Sequence, residues 1–281
     1  MLVEELKKLP TKERYLFWVK EREEIRLKRA EGLPKPWSSN EIFQKFKFCN
    51  VRRMDDRVSN WLLHNWYEPF FDHKNMLTAC VIARLLNNTD SLGELGFPKT
   101  WNPARMEKLL EARTVSGAKN FSGAYLVSGS KGITKVKHVV WNVINPLHCA
   151  KLKVDTTSLE MLVKTLTGFM GLGSFMAGQV SADMRWAVSG TWADKDTFAP
   201  IGPGSRRGMN RLHERPLLQP IKDSVFMQEL AGVKALCLDN LPLSLTCRLE
   251  AIDYQNSLCE MDKMERTLWE GRRPKQLYPG V

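Results

Sequence analysis

Cys-x-x-Cys pairs are absent from this sequence, although six cysteines occur, at positions 49, 80, 149, 237, 247 and 259. No Cys/His cluster has zinc-ligand spacing, and the intervals between Cys237, Cys247 and Cys259 do not suit a four-cysteine iron–sulfur cluster. The thiols read as buried or inert groups in a reducing compartment, so no metal site is expected. Also missing is any apolar run long enough to cross a bilayer. The segment from Met1 to Pro10 is charged from Glu4 onward, which argues against a signal peptide and for a cytoplasmic protein with no membrane partner. No Gly-x-x-x-x-Gly-Lys-Ser/Thr loop occurs, so ATP-driven kinase chemistry has no motif to rest on. Internal repeats, low-complexity linkers and a clear domain boundary are lacking too, and the expectation is one continuous domain over residues 1–281.

What is present is positive charge and helical period. The 42 Lys and Arg outnumber the 31 Asp and Glu, for a net charge of +11, which draws a chain toward polyphosphate. A hydrophobic content of 43% is that of a folded globular protein. An N-terminal helical portion is expected over about 11–113. In it, Thr11 starts a helix to about Ala30 that turns Tyr15, Trp18, Val19 and Ile25 inward, and helix resumes from Ile42. Further helices are expected over Met76–Leu86 and Pro103–Arg113. Residues 121–140, rich in β-branched and aromatic side chains around a Gly-Ser-Lys-Gly turn, predict one small β-hairpin.

A second portion spans about 157–215. Thr157 with Glu160 has capping-box spacing, and Leu159, Leu162, Val163 and Leu166 give the following helix a buried face. Gly168 to Gly173 then forces a tight turn before a second helix from Ser174 through Asp183. Glycine at such a turn lets backbone N–H groups approach a phosphate, which makes Gly171, Gly173 and Ser174 candidates for gripping a DNA backbone. The segment resembles the helix-hairpin-helix of base-excision DNA glycosylases, and Asp196 lies where that superfamily places its catalytic aspartate. Where lyase-type members carry a nucleophilic lysine this chain has Phe175, so a Schiff-base mechanism there is excluded. An ordinary helical hairpin satisfies the same pattern.

Two further stretches can carry chemistry. In Gly202-Pro203-Gly204-Ser205-Arg206-Arg207-Gly208 the glycines free the backbone to form an N–H nest, Ser205 can cap the next helix, and Arg206 and Arg207 add charge-assisted donors for phosphate or pyrophosphate. A solvated basic loop is the alternative. The C-terminal helix, about 244–270, places Asp253, Asn256, Glu260 and Lys263 on one face at steps of three and four, with Leu245, Leu249, Ile252 and Cys259 on the buried side. Such a stripe is a solvent face unless it lines a pocket, in which case Glu260 can accept a proton and Lys263 hold a phosphate.

Taken in order, Asn50-Val51-Arg52-Arg53 with Asp56-Arg57, Gly123-Ala124-Tyr125, Gly171-Leu172-Gly173 with Gln179 and Asp183, Gly202 to Arg206, and Gln255-Asn256 with Cys259 to Lys263 form a familiar series. The series resembles the bacteriophage alpha-glutamyl/putrescinyl thymine pyrophosphorylases. That family is related to helix-hairpin-helix DNA glycosylases and to the helical domain associated with 5-hydroxymethyluracil DNA kinases. The resemblance implies a mainly α, glycosylase-like helical fold with at most a small β-hairpin. It also implies an amino-acid:DNA transferase of thymidine hypermodification, acting in the host cytoplasm. The substrate would be double-stranded DNA whose modified thymine an upstream DNA kinase has pyrophosphorylated. An amino acid or polyamine would then displace the pyrophosphate, after the base leaves the stack at a cost of roughly a few kcal/mol.

On this reading Asp183, Asp196 and Glu260 are the candidate bases, and Gly202, Gly204, Ser205, Arg206 and Lys263 bind pyrophosphate. Arg53, Asp56, Arg57, Gln179, Gln255 and Asn256 meet the amine donor or substrate. No cofactor is evident, although magnesium on the departing pyrophosphate would make chemical sense. Two other functions satisfy parts of the pattern: a monofunctional glycosylase using Asp196, and a non-catalytic DNA-binding accessory.

Overall fold

The computed structural model of the protein describes residues 1–123, 129–272, 274, 277 and 278. Eight helices of nine residues or more occur among them: α1 (Thr11–Ala30), α2 (Met76–Leu86), α3 (Pro103–Val115), α4 (Leu159–Thr167), α5 (Ser174–Ala187), α6 (Pro203–Leu212), α7 (Asp223–Asn240) and α8 (Ala251–Glu270). The described residues contain no strand, and their one β feature is an isolated antiparallel bridge between Phe46 and Leu277. The fold is mainly α, as expected. The chain divides into two compact units, Arg57–Lys195 and Met1–Asp56 with Asp196–Val281.

In the Arg57–Lys195 unit, α2 is buried at every position, apolar except for Thr78 and the ion-paired Arg84. It packs on α5, which also pairs with α4. Leu159, Leu162, Val163 and Leu166 are buried as the helical spacing predicts. The cap differs by one residue: Ser158, not Thr157, is the N-cap of α4 and accepts from Met161 N. Asp194 reinforces it, with one carboxylate accepting from Ser158 Oγ at 2.8 Å, Leu159 N at 2.8 Å and Glu160 N at 2.9 Å. The turn between α4 and α5 requires glycine at 171, where φ is +78° and a side chain would press on Val143.

The β-hairpin expected over 121–140 fails where it can be checked; its residues 124–128 lie outside the described ones. Lys135–Lys137, His138–Ile144 and Asn145–Cys149 follow one another as continuous helix. Val136, Val139, Val140, Val143, Ile144 and Leu147 are all buried, and their steps of three and four are helical. A continuous apolar face outweighs β-propensity.

In the other unit, α1 buries Tyr15, Trp18, Val19 and Ile25 and packs against α6 and α8. Tyr15 Oη and Ser257 Oγ lie 2.7 Å apart, and Arg14 Nε reaches Glu265 Oε1 at 2.6 Å. The segment read as a loop nest is helical: Gly202 is the N-cap, and Ser205 Oγ accepts from Gly202 N at 3.1 Å. Gly204 and Gly208 therefore serve packing. A Cβ at 204 would overlap Cys259 Sγ, and one at 208 would overlap the Leu258 carbonyl oxygen. Both contacts are to α8, so the α6–α8 approach depends on bare backbone. Gly208→Ala is expected to destabilise the protein by about 3 kcal/mol, because a backbone carbonyl cannot move aside as a side-chain end can. Thermal unfolding reads this directly, and an unchanged midpoint would show that the two helices separate at no cost.

Candidate functional site

The polar residues of α8 do not form a solvent face. Asp253 and Glu260 are each 4% exposed beneath the Cys49–Arg53 segment, from whose backbone amides they accept, and Asp262 is fully buried against α6. Glu260 Oε2 accepts from Cys49 N at 2.9 Å, while Lys263 Nζ, one turn on, reaches Oε1 at 2.6 Å and Oε2 at 2.7 Å. Burial alone would lower the Lys263 pKa, yet the Glu260 carboxylate more than offsets this and holds the ammonium above its ordinary value. Lys263 Nζ also sits 5.7 Å from the centre of the Phe48 ring.

The Asn50–Asp56 segment folds beside this pair. Asn50 N donates to Asp56 Oδ1 at 2.8 Å, and Arg22 Nη2 donates to Asn50 Oδ1 at 2.6 Å. Burial, aided by the Glu260 charge and opposed by the Asn50 hydrogen bond and Arg22, raises the Asp56 pKa to about 6. A carboxyl poised there exchanges protons readily near neutral pH. Asp253 is also raised to about 6 by burial, and its oxygens accept from Arg53 N at 2.7 Å and Glu250 N at 2.9 Å. It therefore ties the Arg53 segment to the start of α8. Cys49 and Cys259 face the same charges. Burial and then Glu260 raise both thiols, Cys259 to about 11, so neither supplies a thiolate at neutral pH.

The structure thus brings together Arg53, Asp56, Glu260 and Lys263, and it joins Gln255 to the start of α6, where Gln255 Nε2 donates to Ser205 Oγ at 2.9 Å. Asn256 is half-buried on the same helix, as is Arg206 on α6. Asp196 stands in an exposed turn, 3.9 Å from Lys234 Nζ. The remaining candidates belong to the Arg57–Lys195 unit. There Asp183 is fully buried and holds a two-point ion pair with Arg84, including Nη2 to Oδ1 at 2.6 Å, and it accepts from Tyr67 Oη at 2.7 Å. Gln179 is buried on α5, Arg57 is exposed, and Gly171, Gly173 and Ser174 are exposed at the turn. The N-cap of α5, Gly173, makes no side-chain cap, which leaves the first N–H groups of the helix without one.

Around Asp262 the structure gathers three arginines, of which the sequence reading singled out only Arg207, as an anion donor of the glycine turn. Asp262 Oδ2 accepts from Arg207 Nε at 2.9 Å and Oδ1 from Arg211 Nε at 3.0 Å, while Arg266 Nε lies 3.2 Å from Oδ2 as an ion pair without a hydrogen bond. The spacings Arg207/Arg211 and Asp262/Arg266, each i,i+4, were the trace of the rest in the sequence.

Fold and site together define a basic helical domain that concentrates carboxylates and cations on one helix pair. The chain belongs to the family described as 5-hmdU DNA kinase, helical domain, which it matches over residues 10–272. It is also 27% identical over 228 residues to a 5-hmdU DNA kinase of Bacillus phage SP10, a match covering 71% of this chain and 36% of the kinase. The chain therefore corresponds to about a third of that protein's length. No solved structure matches it.

Proposed function

We propose that the chain acts in phage thymidine hypermodification, as a transferase that replaces the pyrophosphate of 5-(pyrophosphoryloxymethyl)uracil in DNA with the amine of an amino acid or polyamine. The observation that carries this reading is the Glu260–Lys263 pair beside Asp56. Family membership supports the pathway, since the phage relative is by name a kinase for 5-hmdU DNA. In the reaction the donor nitrogen forms a bond to the exocyclic methylene carbon. The carbon–oxygen bond to pyrophosphate breaks, and its electron pair leaves with the pyrophosphate. Glu260 or Asp56 takes the proton that the nitrogen sheds, and Lys263 offsets charge on the leaving group. The α4–α5 turn, with its exposed glycines and an α5 N-terminus lacking a side-chain cap, is the part suited to a DNA phosphate.

A second reading is a DNA-recognising module without turnover. The match to 36% of the kinase favours it, since catalysis in that relative can lie in the remainder. The test is to incubate the protein with duplex DNA carrying pyrophosphorylated 5-hydroxymethyluracil and a mixture of amino acids and polyamines. Digestion to nucleosides and mass spectrometry then follow, with abasic sites assayed in parallel. One amine adduct with stoichiometric pyrophosphate release is expected. Amine-independent abasic sites would make the protein a glycosylase, and binding with neither product would leave the recognition module.

A further inference from the structure

We infer that Arg207 and Arg266, splayed from the buried Asp262, form a binding site for a compact polyphosphate, the pyrophosphate group itself. This deepens the proposed transferase reading by naming what holds its leaving group, and it moves that role from the start of α6 to the middle of the α6–α8 pair.

The charges around Asp262 do not balance. Arg207, Arg211 and Arg266 converge on a single carboxylate that is fully buried. Glu270 takes Arg211 Nη2 at 2.7 Å but is shared with Arg272 at 3.3 Å, and Glu265 is already bound by Arg14. Four guanidiniums, three of them partly buried and Arg272 exposed, thus face two carboxylates, an excess of positive charge that an anion would offset.

The geometry says where the anion goes. Arg207 donates its Nε to Asp262 Oδ2 at 2.9 Å, while Arg266 Nε lies 3.2 Å from the same oxygen as an ion pair without a hydrogen bond, so both guanidiniums are drawn to one carboxylate oxygen. Among the described residues their Nη groups make no hydrogen bond, and the side chains are 25% and 28% exposed. Two planar guanidiniums ion-paired to one oxygen offer N–H donors to one small, multiply charged ligand. A DNA backbone presents single charges along its length, a poorer match to one focused cluster.

The cluster also adjoins the candidate site. The Cys259 thiol is within electrostatic reach of Glu260, Lys263, Asp262 and Arg207 together. Lys263 follows Asp262 directly in α8 and precedes Arg266 by one turn. Pyrophosphate leaving the reacting carbon near Lys263 would therefore have a receiving site next to it.

The test is calorimetric titration of the full chain with inorganic pyrophosphate and, separately, orthophosphate, alongside anisotropy with unmodified duplex DNA. Pyrophosphate is expected to bind more tightly than orthophosphate, and Arg207→Gln/Arg266→Gln to weaken it by about 30-fold or more, as loss of two charge-assisted pairs implies. Arg207→Lys/Arg266→Lys, which keeps the charge and the fold but loses the forks, should fall in between. No pyrophosphate binding by the wild-type chain would overturn the site, and so would unchanged affinity in a folded double variant. A loss confined to duplex DNA would also sink it, by assigning the arginines to the DNA backbone. None of these readouts needs turnover, so pyrophosphate binding without amine transfer would defeat the transferase reading and leave this site standing.

Discussion

Replacing Asp183 by Asn should destabilise the Arg57–Lys195 unit by about 3–5 kcal/mol, the usual cost of leaving one partner of a buried ion pair without its counter-charge. Arg84 is 2% exposed, and Asp183 is its two-point partner between α2 and α5. Asn preserves size and one acceptor, so Tyr67 keeps a hydrogen bond, but it leaves the guanidinium charge uncompensated in the core. Tyr67 is itself pushed well above the ordinary tyrosine range by burial and then by the Asp183 charge, so it stays a donor. Urea unfolding of Asp183→Asn and of the double variant Arg84→Met/Asp183→Leu separates the roles. The double variant should recover much of the loss, because apolar groups of similar volume replace such pairs at little net cost. If Asp183→Asn unfolds like wild type and yet loses turnover, the carboxylate belongs to the chemistry instead.

Glu260→Gln is expected to leave the fold and DNA affinity nearly intact while lowering amine transfer by about 10²- to 10⁴-fold, the usual contribution of a positioned proton acceptor. Gln retains an oxygen for Cys49 N, the contact that anchors the Asn50 segment. What it removes is the negative charge that holds Lys263 protonated and pushes Asp56 upward. The Asp56 pKa should therefore fall from about 6 toward its ordinary value, and any residual rate should keep its level to lower pH than in wild type. A pH–rate profile in single turnover, with anisotropy on the same DNA, gives both readouts. Full rate in Glu260→Gln would remove that carboxylate from the mechanism and leave Asp56 as the group to test.

Local period made much of the helical framework legible. The α1 apolar positions, the bounds of α2 and the buried face of α4 all follow from spacing within one segment. The 135–149 stretch was misread because β-branched content was weighed ahead of an apolar repeat of three and four residues. Likewise, the carboxylate that reinforces the start of α4 is Asp194, 34 to 36 residues away from the groups it binds, beyond any capping pattern.

The site divided along the same line. Residue types and order pointed to Glu260, Lys263 and Asp56, but composition alone left the α8 stripe as a solvent face. The Cys49–Arg53 segment, whose backbone N–H groups donate to Glu260 and Asp253, buries its carboxylates. By itself the sequence determined helix, basic charge and the family resemblance, because these are properties of neighbours along the chain. Which carboxylates stay structural and which meet protons was decided by tertiary structure. Asp183 received Arg84 from another helix, while Glu260 received a lysine and a backbone amide next to a carboxyl raised by burial. A charged group's role depends on the counter-charges and desolvation that distant segments bring to it, and neither is written in local spacing.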